Sequence, residues 1–221
     1  LTWPESPTLP ELTLADARNF QAPNGGMAYW VAQNRRTSPY LSAYTALAFS
    51  WLRTDGYAIA QDTESALQDY LRRLLRRDEF PDYYQRGMAA TVRAVALAAL
   101  ARSGALETGE LERYVAHLPR MDLFGKSHFV AAALEVGEHA LVDTGLDQML
   151  SLANESAGKA QFVETLDDGD SQILSSPGRS HCAALSSLIA VAKNPRYTSR
   201  IQPLVSKLAR ALSRLKGRRN H

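Results

Sequence analysis

One cysteine, Cys182, is all that the 221 residues contain. It excludes an internal disulfide and any cysteine-built zinc cage within the chain, and it leaves the compartment open. No run of about 18 apolar residues occurs, the longest being broken by Arg93 or Lys193, so no transmembrane helix is expected. The first residue is Leu1, and Thr2 to Glu11 holds three prolines with no basic start and apolar stretch. No signal peptide is read there, and the chain is expected to be a piece of something larger, with residues 1–11 an extended linker. No Gly-rich phosphate loop and no Gly-x-Ser-x-Gly elbow is present, which removes the commonest nucleotide-binding and acyl-transfer classes. Acidic residues are missing from 171–221, where 10 basic residues stand alone, whereas 1–170 carries 15 basic and 23 acidic. That basic block, with Lys207, Arg210, Arg214, Lys216, Arg218 and Arg219, suits either an anionic surface or an acidic neighbour in the parent protein. No aromatic platform is interleaved in it, so the second reading is preferred and no nucleic acid is expected as a partner.

What the sequence does have is helical rhythm. At 45% hydrophobic and 22% charged it has the balance of an ordinary globular chain, not of a disordered or collagenous one. Pro39 to Arg53 is apolar nearly all round, with Leu41, Tyr44, Ala48 and Leu52 on one face and Ser38 as cap before Pro39. Asp62 to Arg77 is amphipathic, with Ala66, Tyr70 and Leu74 on one stripe. The alternation recurs: Gly87–Ser103 buried and Thr108–Leu118 amphipathic, Lys126–Gly137 buried and Leu141–Ser156 amphipathic, Ser180–Asn194 buried and Ser199–Leu215 amphipathic and basic. Four such pairs form a degenerate repeat of roughly 40 to 55 residues. A helix apolar all round needs partners on several sides, which an inner and an outer ring of helices supply. The expected fold is therefore all-α, an α/α toroid of one domain spanning 1–221, with an open HEAT-type superhelix as the alternative of equal periodicity.

Two stretches interrupt the rhythm. Gln21 to Trp30 holds Pro-Asn-Gly-Gly, suited to a tight turn, followed by Met27, Tyr29 and Trp30 as anchors. Lys159 to Pro177 places Phe162 and Val163 on one side of Asp-Asp-Gly-Asp and Ile173 and Leu174 on the other, the pattern of an inserted β-hairpin.

Asn24-Gly25-Gly26-Met-Ala-Tyr29-Trp30, then Ser38-Pro-Tyr-Leu-Ser-Ala-Tyr44-Thr-Ala46, then Ile173-Leu-Ser-Ser-Pro177 leading into His181-Cys182-Ala-Ala-Leu185 stand in a particular order. Together they resemble the thioester-type α/α-toroid domain of the bacterial α2-macroglobulins, relatives of complement C3, over Leu12 to Leu215. Gly25, Gly26, Tyr29, Trp30, Tyr44, Pro177 and Cys182 carry the resemblance as structural signature residues. The chain ends at Gly217–His221 where the family continues into further helices, so an incomplete toroid is expected. The resemblance implies a periplasmic endopeptidase inhibitor that traps proteases after a bait segment is cut, with target proteases, neighbouring domains and cell-envelope proteins as partners of the parent.

The family's thioester joins a cysteine to a glutamine three residues on, in Cys-x-Glu-Gln. Cys182 is followed by Ala183, Ala184 and Leu185, so no such ring closes here. Cys182 reads instead as a small filler at the start of a buried helix. The histidine that assists acyl transfer in complement-type members is also missing, because Arg77 to Arg86 contains Tyr83 and Tyr84 and the first histidine of the chain is His117.

Other constellations are weaker. His117, His128, His139, His181 and His221 include no pair at i and i+4. His128 and His181 could converge with Glu164 or Asp167 on a metal, but capping or satisfied histidines are the preferred reading. Asp167, Asp168 and Asp170 around Gly169 lack the order and distal glutamate of a calcium loop and read as a solvated hairpin tip. A toroid glycosidase needs two converging carboxylates, for which only Asp82 and Glu135 offer themselves. The expectation is a chain with no catalytic residue, no metal and no cofactor. The alternatives held open are a helical interaction module acting through the basic tail and a toroid enzyme acting on a glycan or terpene.

Overall fold

The computed structural model describes residues 8–31, 36–156, 158–164 and 173–217, with side chains to 213. The expected fold class forms: paired helices of the α/α-toroid kind with one small antiparallel hairpin. The contacts sort into two compact units, Leu1–Tyr83 with Val95–Leu106, and Tyr84–Ala94 with Glu107–His221.

Unit 1 begins with α1 (Leu9–Asp16), so Leu9 to Glu11 of the expected extended stretch are the first helical turn. A 3₁₀ turn, Ala17–Phe20, follows. α2 (Pro39–Thr54) starts where the sequence places it, Ser38 Oγ accepting the Leu41 N–H at 3.2 Å. Its buried stripe is Tyr40, Ala43, Leu47 and Ser50, one position away from the expected Leu41–Tyr44–Ala48–Leu52 face, which is half-buried. A helix apolar all round gives pattern analysis no way to choose between its faces. α3 (Gln61–Arg77) buries Leu67, Leu71 and Leu74, with Ala66 and Tyr70 half-buried beside them. Met27, Phe49 and Leu67 form a core against which Leu14, Phe20, Leu41 and Ile59 pack.

α4 (Arg86–Arg102) divides between the units, Arg86–Ala94 counting with unit 2 and Val95–Arg102 with unit 1. From Met88 to Ala101 every residue is buried, the strongest agreement with the periodicity reading.

In unit 2 the expected amphipathic α-helix at Thr108–Leu118 is instead a 3₁₀ helix, Leu111–Arg120. Gly109, at φ +88, precedes it and Pro119, which has no N–H to give, lies near its end. α5 (Leu123–Glu135) is buried along most of its length, and α6 (His139–Leu150) packs on it. Gly145 of α6 lies so close to α5 that a Cβ would stand 2.6 Å from Val130 Cγ2. α6 stops six residues short of the expected Ser156, because Ala153–Ser156 is β1, paired antiparallel with β2 (Lys159–Phe162). Gly158, at φ +73, closes the turn. The hairpin thus opens earlier than expected. Ile173 and Leu174 are not its second strand, and Asp167, Asp168 and Asp170 lie outside the described residues.

α7 (Pro177–Ala192) and α8 (Pro195–Gly217) complete unit 2. α7 is half-exposed and not buried all round, with Ile189 42% exposed. α8 buries Tyr197, Ile201, Leu204, Val205 and Leu208 on one stripe, as its amphipathic pattern predicts. Its basic face finds its acidic neighbour within this chain: Arg196 pairs with Asp143 at 2.7 Å, Arg200 with Asp147 at 2.6 Å, and Lys207 with Glu155. Of the basic block expected to meet an acidic neighbour, Lys207 finds one here, whereas the side chains of Arg214, Lys216, Arg218 and Arg219 lie outside the described residues. Among the described residues no helix is long and apolar enough to cross a membrane.

Candidate functional site

Two places gather polar side chains. The first is in unit 2, at the beginnings of α5 and α7. Asp122 caps α5, its Oδ1 accepting the Gly125 N–H at 2.6 Å. Thr91 of α4 donates to the same oxygen at 2.8 Å and accepts the Asp122 N–H at 3.1 Å. Glu164, just beyond β2, accepts the Leu123 N–H at 2.6 Å. Two carboxylates therefore occupy the first N–H groups of α5, where the helix dipole favours negative charge. Arg179, in the first turn of α7, lies 3.8 Å from Asp122 Oδ2 and 4.0 Å above the Phe124 ring, and it donates to the Ile173 carbonyl. Lys126 is buried beneath them and donates to the Met121 carbonyl.

Burial shifts Lys126 and Glu164 in opposite directions. It drives Lys126 below its ordinary 10.5, against the upward pull of Asp122 and Glu164. It pushes Glu164 above 4.5, helped by the Asp122 charge and opposed by the Leu123 N–H, Ser180 and Lys126. Sequence reading missed Asp122, Arg179 and Lys126. The findable signal was Asp122 itself, a cap residue three positions before Gly125 and shortly after Pro119. Asp122 Oδ1 and Glu164 Oε2 are engaged at the start of α5, which anchors the helix, while Asp122 Oδ2 and Glu164 Oε1 are buried without a hydrogen-bond partner among the described residues.

The histidines considered as ligands have separate partners. His181 Nδ1 lies 2.7 Å from the Pro177 carbonyl and its Nε2 accepts the Phe162 N–H at 3.1 Å, which selects the neutral tautomer protonated on Nδ1. His128 meets the Phe124 ring edge-on at 4.4 Å. Among the described residues no group of three or more His, Cys, Asp or Glu is placed to hold a metal. Asp82 belongs to unit 1 and Glu135 to unit 2, at the C-terminal end of α5.

The second place is a cleft of about 730 Å³ in unit 1, where the N-terminal turn of α2 meets the last turns of α3. Arg36, Arg73 and Arg77 line it, with Glu79 as the acid among the lining residues. Thr37 Oγ1 donates to Tyr70 Oη at 3.3 Å, and burial holds the Tyr70 phenol above its ordinary 10.0. Phe80, Pro81 and Tyr83 supply an apolar wall.

The signature residues fall into three kinds. Gly25, at φ +86, and Gly26 form the turn pressed onto α3: a Cβ on the first would run into the Ala66 carbonyl, and one on the second would stand 2.7 Å from the Tyr70 ring. Tyr44 stacks on Tyr40 and meets Trp51 edge-on, both at 5.9 Å, and Pro177 opens α7 and accepts from His181. The others depart from expectation. Met27 is the anchor, 4% exposed, whereas Tyr29 and Trp30 are 49% and 83% exposed. Cys182 is exposed, not a buried filler, because it falls on the outer side of a helix whose inner stripe is Ser180, Ala184, Ser187 and Leu188.

No protein-family model and no curated protein matches the sequence. Solved structures match in three dimensions. Trypsin-activated α2-macroglobulin from Escherichia coli superposes with a TM-score of 0.72 at 19% identity, over 91% of this chain and 13% of that one. The native conformation of the E. coli protein gives 0.73 at 20% identity, over 92% and 12%. The fold is that of a segment of bacterial α2-macroglobulin. A piece of the E. coli protein running from domain MG7 to the C-terminus still matches, at a TM-score of 0.70 and over 91% of this chain. The corresponding α2-macroglobulin segment therefore lies within that C-terminal portion. This chain covers only 12–13% of the length of the first two α2-macroglobulins.

Proposed function

We propose that this chain is a non-catalytic domain of a bacterial α2-macroglobulin-like endopeptidase inhibitor, of the thioester-type toroid, and that its parent traps proteases in the periplasm. The observation that carries the reading is the superposition over 91–92% of the chain on E. coli α2-macroglobulin. Two features support it. The turn at Gly25–Gly26, on which the sequence resemblance rests, is a packed feature of unit 1. The polar cluster at Asp122, Glu164 and Arg179 secures helix ends. In this reading neighbouring domains hold this one and release it when the bait is cut.

The test uses the full-length parent with trypsin or elastase, comparing hydrolysis of a large protein substrate with that of a small peptide reporter. Trapping predicts that protein cleavage falls while peptide cleavage survives. If the parent is nicked and both activities persist, the reading is wrong.

A further inference from the structure

Three oxygens of unit 2 are buried without a hydrogen-bond partner among the described residues: Asp122 Oδ2 at the cap of α5, Glu164 Oε1 just beyond β2, and Ser180 Oγ in the first turn of α7. Neither carboxylate can turn to satisfy its second oxygen without giving up the first. Asp122 Oδ1 holds the Gly125 N–H and the Thr91 hydroxyl, and Glu164 Oε2 holds the Leu123 N–H. Ser180 is 0% exposed, so its hydroxyl has no access to bulk solvent. Unpartnered oxygens in such a place cost free energy, and native interiors rarely keep them. The three groups also feel one another. The Asp122 charge raises the Glu164 carboxyl and the Ser180 hydroxyl lowers it, yet no direct hydrogen bond joins Ser180 to Glu164. Asp122 Oδ2 lies 3.8 Å from Arg179, which is also too long for a direct hydrogen bond. A polar contact felt across such a gap is the arrangement that a bridging water completes.

We propose that Asp122, Glu164 and Ser180 hold one ordered water, which donates to Asp122 Oδ2 and Glu164 Oε1, accepts from Ser180 Oγ, and so ties the first turns of α5 and α7 to the segment beyond β2. The chemistry of the three oxygens selects this occupant. Two are carboxylate acceptors, so the occupant must donate twice, and the third is a hydroxyl that can donate in return, which is the inventory of a water with three partners. A metal ion fits less well. Lys126 and Arg179 already balance the two carboxylates, and among the described residues no group of three or more His, Cys, Asp or Glu is placed to hold one. The proposal concerns the interior of unit 2 and stands whether or not the parent traps proteases.

The test begins with a crystal structure of the 221-residue chain that resolves ordered water. One isolated peak is expected, at about 2.7–3.2 Å from Asp122 Oδ2, Glu164 Oε1 and Ser180 Oγ. Contacts shortened to roughly 2.0–2.6 Å would mark a cation instead. That outcome, a direct bond from Ser180 to Glu164, or no peak at all would each overturn the proposal. Thermal melts give a second test whose sign discriminates. An orphaned buried hydroxyl is a cost, so removing it with Ser180→Ala would leave Tm unchanged or raise it. With the water in place the same substitution takes away one of its three partners, and a fall in Tm of about 2–4 °C is expected, the scale of one hydrogen bond in a chain of this size. Ser186→Ala, at an exposed position of the same helix, should leave Tm unchanged. A Tm unchanged or raised by Ser180→Ala, or lowered equally by Ser186→Ala, would refute the water.

Discussion

Lys126 is the perturbation whose consequences the structure fixes most closely. Its ammonium lies buried among Asp122, Glu164 and the Met121 carbonyl, and replacing it by Met keeps the stem and removes the charge. Asp122 keeps Arg179 at 3.8 Å, whereas Glu164 loses a nearby cation. Lys126 donates to the Met121 carbonyl, and the cost of burying its charge offsets part of its attraction to the two carboxylates. A loss of about 1–2 kcal/mol at pH 7.5 is expected. For a chain of this size that is a fall in Tm of roughly 2–8 °C.

The pH dependence gives the argument its sign. Glu164 holds its proton more tightly folded than unfolded, so the native state takes up the proton first. Its contribution to stability is present below its ordinary value of 4.5 and is lost as the pH rises through its folded value. Without Lys126 that folded value rises further. The deficit of Lys126→Met should therefore shrink as the pH falls toward 4.5 and Glu164 takes up its proton. Lys126→Met with Glu164→Gln should recover most of the loss at pH 7.5, since Gln Oε1 can still accept the Leu123 N–H. Circular dichroism melts of the unaltered chain and the two variants between pH 4.5 and 8 supply the measurement. A deficit equal at pH 5 and pH 7.5, with no rescue by Glu164→Gln, would show that the lysine acts through packing alone and would refute the electrostatic reasoning.

Three further outcomes follow from named contacts. Gly25→Ala combines a left-handed φ of +86 with a collision against the Ala66 carbonyl, and should destabilise unit 1 by about 3 kcal/mol or more in chemical denaturation, whereas Gly56→Ala, strained in φ but open in space, should cost only about 1 kcal/mol. Asp122→Ala removes a helix cap and the partner of Thr91 together, for an expected loss of about 2 kcal/mol, while Asp122→Asn, which can still accept the Gly125 N–H, should lose less than half of that. Cys182 is exposed and should react with a thiol reagent in the native state at a rate close to that of the denatured chain; slow labelling that awaits unfolding would contradict its placement.

The sequence announced the helices more clearly than it announced their faces. Met88 to Ala101 could be assigned as buried because nothing in it wants water apart from Arg93. α2 is apolar on two sides, and only its neighbours in unit 1 decide that Tyr40, Ala43 and Leu47 turn inward. The same ambiguity placed Cys182 on the wrong side of α7. The hairpin was found but shifted, because Asp-Asp-Gly-Asp is a louder turn signal than the Gly158 that closes it. The Asp122–Glu164–Lys126–Arg179 cluster was illegible as a unit. Its members are spread over 57 residues, from 122 to 179, and only the burial of α5 brings them together. The ion pairs of α8 were half legible: the charge block was plain, its partners on α6 and β1 were not.

The bond from the Leu123 N–H to Glu164 spans 41 residues of chain. A 13-residue helix is marginal by itself, and the start of α5 is held both by its local Asp122 cap and by this contact from beyond the hairpin. Native-state hydrogen exchange at Leu123 is therefore expected to require release of Glu164 as well as fraying of the helix end.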